Sequence, residues 1–114
     1  MPRTISKSKY CIGLQCPKLL WVNFNDRERL PAVDAAVQAR FDQGHEIGEL
    51  AKSLYPDGVD IVFRPGETQR MIEETATAVA ERNPVFEATF VHDSMYAQAD
   101  ILVPVEDDAW DVIE

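Results

Sequence analysis

The chain has no apolar run long enough to cross a bilayer. Its first residues, MPRTISKSKYCIGL, include basic side chains but no hydrophobic stretch followed by a small-residue cleavage site. A membrane span and a secretory leader are therefore not expected, and the chain reads as soluble and cytoplasmic. Cysteine is scarce. Cys11 and Cys16 are the only two, too few for a disulfide scaffold, and by default they are free thiols in a reducing compartment. Positive charge is in the minority, with 11 Lys and Arg against 20 Asp and Glu and a net charge of −9. That balance counts against a simple nucleic-acid binder, which needs a positive surface. Repeats, low-complexity tracts and linkers are also missing. At 114 residues and 46% hydrophobic content, the expectation is one small domain over residues 1–114 with a modest core.

The charge that is present is unevenly spread. Arg3, Lys7, Lys9, Lys18, Arg27 and Arg29 fall within the first 29 positions, and the C-terminal half is strongly acidic. An acidic half can be a solvated surface, or one side of a site whose missing charge is a metal cation. SKSKYCIGLQCPKLLWVNF reads as two helical pieces, with Ser6 or Ser8 as N-cap and Pro17 opening the second. Leu20, Trp21 and Phe24 give it an apolar stripe. A longer helix is predicted over residues 32–54, with Val33, Val37, Phe41, Ile47, Leu50 and Leu54 at helical spacing and Gly44 and Gly48 weakening its middle. Pro56-Asp57-Gly58 is a turn and VDIVF a short strand. Residues 67–82 form a second amphipathic helix with Met71, Ile72, Thr75, Ala76 and Val79 inward, stopped at Asn83-Pro84.

Three strands follow: VFEATFV, YAQADILV and WDVIE. Strict alternation puts Phe86, Ala88 and Phe90 on one face and Glu87 on the other. In the second strand Ala97, Ala99, Ile101 and Val103 share a face, away from Asp100. In the third, Trp110, Val112 and Glu114 share one. The fold class expected is α+β, with N-terminal helices packed on a small, mainly antiparallel sheet. A hairpin over residues 105–109 would set Val103 against Asp111 and hence Asp100 against Glu114. A four-residue loop at 92–95 would set Glu87 against Asp100. Directly opposed residues project from one face with Cβ atoms about 4.5–5.5 Å apart, where like charges repel unless offset. Three carboxylates in a row suit Mg²⁺ or Mn²⁺, with water completing the octahedron. The plain alternative is three acids on a solvent face. A one-residue slip would undo the row.

An apolar strand carrying Asp, followed by a strand ending apolar-apolar-Glu, resembles the core of the PD-(D/E)XK nuclease superfamily. Within it the likeness is to RecB-type nucleases, including the CRISPR-associated exonuclease branch, and to an uncharacterised bacterial family with such a domain. SKSKYCIGLQCPKLLW resembles the family's opening, FDQGHEIGELAKSLYPDGV its Gly-rich helix and following strand, and PVFEATF, ADIL and WDVIE its core strands. The resemblance implies a truncated nuclease core in which Asp100 and Glu114 are catalytic and hold a divalent metal, supported by Glu87. It also implies DNA as the partner and metal-dependent phosphodiester hydrolysis as the activity.

In that family a lysine two residues after the Glu orients or activates the attacking water. That position lies outside these 114 residues, so the chain is expected to be the N-terminal piece of a longer protein. As it stands it should be inactive, with weak metal binding at a frayed Glu114. Related nucleases also place a metal-ligating histidine on a helix near a glycine. His45, in GHEIG, is the candidate, against a surface or helix-packing role, and Gly48 stands where a histidine falls elsewhere. Cys16, in CPKLLW, matches the one N-terminal cysteine that joins three C-terminal ones around a [4Fe–4S] cluster. Four thiolates are needed, so a cluster is expected only in a full-length protein. Trp21 and Trp110 read as core or rim aromatics. The basic N-terminal helices line a DNA groove or are a solvated face. An unpaired C-terminal strand edge would favour self-association. The competing reading of the whole is a non-enzymatic α+β module that binds a partner and carries its acids as surface charge.

Overall fold

The computed structural model describes residues 3–114 and is α+β, with four α-helices and a mixed five-stranded sheet. In chain order the elements are β1 (Ile5–Ser6), α1 (Lys7–Gln15), α2 (Pro17–Asn25), a 3₁₀ turn (Arg27–Arg29), α3 (Ala35–Lys52), β2 (Val59–Asp60), α4 (Thr68–Ala80), β3 (Val85–His92), β4 (Met95–Pro104) and β5 (Trp110–Ile113). Local chemistry explains most of the boundaries. Ser6 caps α1 by accepting from the Lys9 N–H, Pro17 opens α2, and Asp34 caps α3 by accepting from the Val37 N–H. Among the described residues no helix is long and apolar enough to cross a membrane.

β3 and β4 form a long antiparallel hairpin, and β5 folds back antiparallel on β4. β2 extends the sheet beside β3 in parallel, and β1 runs parallel to β4. VDIVF thus gives only a two-residue strand, and β1 adds one that the sequence pattern did not announce. β3 occupies one edge of β4, so β1 at Met95–Tyr96 and β5 at Ile101–Pro104 lie end to end along the other. The β3–β4 turn is tighter than expected. His92 pairs with Met95, leaving Asp93 and Ser94, both at positive φ, as a two-residue connection of the kind that matches strand twist.

The core lies between α4 and the sheet. Ile61, Met71, Ala78, Val85, Ala88 and Leu102 form one buried cluster, with Val59, Val79, Ala99 and Trp110 packed against it. Trp110 is therefore a rim aromatic of this core, with the Arg82 guanidinium 5.3 Å above its ring. Trp21, on α2, is exposed. The stripe on α3 is not a core stripe: no residue of that helix is buried, and Phe41, Ile47 and Leu50 are exposed. The alternation expected for β3 also fails. Val85 and Ala88 lie three residues apart yet join the same core, which an unbroken two-residue pleat cannot do. Phe86, also buried, has its ring on the side of Gly58 and Lys52 instead. Phe90 is exposed, so Phe86, Ala88 and Phe90 do not share a buried face.

Candidate acidic site

Glu87 marks where the pleat breaks. Its φ is +58°, a left-handed conformation rare in a non-glycine residue. The register holds on both sides of it, Phe86 against Ile101 and Ala88 against Ala99, which brings Glu87 level with Asp100. On the other side of β4, Ile101 pairs with Ile113 and Val103 with Asp111, and one further step along that register brings Asp100 level with Glu114. The three acids thus fall in the row the strand spacing anticipated.

They open onto one cavity of about 390 Å³, walled on its far side by α3 through Gly44, His45, Gly48 and Lys52. The two glycines leave room there: a Cβ at either would meet nothing within 4 Å. Ile101 and Ile113 also line this cavity, so Asp100 and its neighbour Ile101 face it together. Strict alternation had set them on opposite faces. The difference falls opposite the break in the β3–β4 ladder at Glu87.

The electrostatics are those of crowded carboxylates. Burial pushes the Glu87 carboxyl above the usual glutamate range, and the nearby Asp100 charge adds to it. Lys52 pulls it down, Asp60 pushes it up again and His45 pulls it down slightly, leaving it raised. Glu114 is held from outside the cavity by Lys7, whose Nζ lies 2.5 Å from Glu114 Oε2. Lys52 was not singled out by sequence. It is half-buried, its side chain 18% exposed, and its Nζ donates to Glu49 Oε1 at 3.1 Å and Asp60 Oδ2 at 3.2 Å. Burial opposes its charge, but these two hydrogen bonds outweigh the desolvation and hold its pKa above the usual lysine value. A signal was available: Gly44, Gly48 and Lys52 recur every four residues and so share a helix face.

The donor set matches a hard divalent cation in kind, since carboxylate oxygens and an imidazole face the same space. Among the described residues, however, no three His, Cys, Asp or Glu stand together as a group that could hold a metal ion as placed. A metal ion there would need side chains to move, and Glu114 is already paired with Lys7. Cys16 does not line this cavity. It sits between α1 and α2, beside a small hollow shared with Lys18 and Arg29, while Cys11 is exposed. Two thiols cannot supply the four that a [4Fe–4S] cluster takes, so the residues present do not fit that group. Comparison with family models, with curated proteins and with solved structures gave no match to the chain.

Proposed function

We propose that the chain carries the metal-holding part of a RecB-like, PD-(D/E)XK-type site for divalent-metal-dependent hydrolysis of DNA phosphodiester bonds. The observation that carries this reading is the convergence of Glu87, Asp100, Glu114 and His45 on one cavity. A bound Mg²⁺ or Mn²⁺ would polarise a phosphoryl oxygen and lower the pKa of a coordinated water. In this assignment Asp100 and Glu114 hold the ion, Glu87 supports it, and His45 is a further ligand from α3. Lys52 lies on the cavity wall, where a cation is suited to a phosphate oxygen. Hydrolysis also requires a positioned water nucleophile. The lysine that the resemblance sets two residues past Glu114 is not among these 114 residues, so this chain is expected to bind metal without measurable cleavage. DNA is the partner proposed for the site, and the exposed outer edge of β5 is proposed as a surface for self-association.

Mn²⁺ titration followed by NMR tests the reading. Paramagnetic broadening should centre on Glu87, Asp100 and Glu114 and reach His45. Broadening spread over all acidic surfaces would defeat it, and EDTA-sensitive DNA cleavage by the purified chain would defeat only the expected inactivity. Two observations favour the second reading, a non-enzymatic binding module: the acids are not gathered into a ready ligand group, and Glu114 already has Lys7 as its counter-ion. Diffuse broadening would support that module.

A further inference from the structure

Two buried threonines that do not line the cavity make hydrogen bonds beside the left-handed backbone at Glu87. Thr89, fully buried, donates from Oγ1 to the Glu87 carbonyl at 3.0 Å. Its backbone N–H turns toward α4 and donates to Thr75 Oγ1 at 3.0 Å. Thr75, 1% exposed, donates from its own hydroxyl to the Met71 carbonyl at 2.8 Å. Each link satisfies a polar group that burial would otherwise leave without a partner. Together they fix the chain immediately after Glu87 and tie it to a helix on the opposite side of the sheet from the cavity. The same segment is where Val85 and Ala88 come to share one core while Glu87 faces the space it shares with Asp100.

We propose that Thr75 and Thr89 are positioning residues: their buried hydroxyls hold Glu87 in its left-handed conformation and so direct its carboxylate into the cavity beside Asp100. The backbone part stands on the hydrogen bonds alone. Its consequence for metal binding rests on the metal-site reading above.

The test uses the full 114-residue chain, labelled with ¹³C and ¹⁵N, as wild type, Thr75→Val and Thr75→Ser. Without metal, the ¹³Cα and ¹³Cβ shifts of Glu87 should report a left-handed residue in wild type and Thr75→Ser. They should move toward extended values in Thr75→Val, which keeps the shape and loses the hydroxyl. Extended shifts in wild type, or shifts unmoved by Thr75→Val, would overturn the proposal. With Mn²⁺ added, Thr75→Val should bind several-fold more weakly and Thr75→Ser should restore affinity. A chain whose Glu87 shifts respond as described but which shows no localised Mn²⁺ broadening keeps the positioning role and removes the metal reading. Should Thr75→Val fail to fold, Thr75→Ala is read by the same shifts for the threonine's part, and Glu87→Gly against Glu87→Ala, which both lack the carboxylate, tests the left-handed conformation itself. Glycine accepts positive φ freely, so Glu87→Gly should melt higher. The reverse order is what an ordinary strand gives, and it would overturn the proposal.

Discussion

Glu87 combines two unfavourable conditions in one residue. A side chain with a Cβ costs roughly 1–2 kcal/mol in the left-handed region, and its carboxyl is pushed upward by burial and by Asp100. Positions of this kind persist when surrounding structure over-determines them, and they gather at functional sites. The charge has a pH consequence. Because the folded-state pKa lies above the unfolded one, Glu87 contributes stability below the unfolded pKa, and that contribution is lost as pH rises through the folded value. Glu87→Gln removes the charge and keeps the shape. It should therefore melt above wild type at neutral pH, with the advantage vanishing in acid below the ordinary glutamate range. Glu87 is partly solvated, so screening holds the gain under about 1 kcal/mol. A pH series of thermal unfolding checks it, and an advantage that persists unchanged into acid would mean the carboxyl is not strained by its surroundings. Sequence could not show this conformation. The usual signs of positive φ are Gly, Asn or Asp, and FEATF offers only an alternating pattern. Thr75 reads as an inward helix residue, but its partner across the sheet has no signature in a single sequence.

The elements meet at the gap between β1 and β5. Both run along the same edge of β4, and the Lys7–Glu114 pair joins the start of α1 to the end of β5 across it. Its side chains are 72% and 49% exposed, so solvent screens the pair and it adds little to stability. On the metal-site reading proposed above, a divalent ion would compete with Lys7 for Glu114. Lys7→Met should consequently raise Mn²⁺ affinity modestly, by no more than a few-fold, on the order expected for a solvent-screened pair. Calorimetric titration measures it; unchanged or weaker binding would mean that Glu114 does not serve the ion. At this scale the sequence was informative where a rule is local. The cap at Ser6, Pro17 at a helix start, and the register aligning Asp100 with Glu114 all follow from residue type and turn length, whereas Asp34, which caps α3, had been placed inside that helix. The helical stripe on α3 misled because periodicity shows that a helix has an apolar face, not that anything in this chain covers it.

At the scale of the whole molecule the chain is more extended than its length requires. Its radius of gyration is 16.1 Å, against roughly 13 Å for a compact domain of this size. The excess goes with helices that place no residue in the core. α1, α2 and α3 contribute no buried residue, whereas α4 and the sheet supply the core. Apolar side chains that composition had marked for a core are left outside, on α3 and along β5, where Val112 is 62% exposed. Among the described strands β5 pairs with β4 alone, so its outer edge offers unpaired backbone N–H and C=O groups next to an apolar side chain. An edge of this kind is a template for a second chain. The expected result is an apparent mass that rises with concentration in sedimentation velocity, and a shift toward monomer in Val112→Lys, which puts a charge of the type that natural edge strands use for protection. A wild-type chain that stays monomeric at high concentration would sink the idea. Association that survives Val112→Lys would instead place the contact on α3, whose exposed Phe41, Ile47 and Leu50 are the larger apolar surface. That outcome would bear on the site as well, because α3 also presents His45 and Lys52 to the acids, and a second chain seated on it would bury the cavity's outer wall.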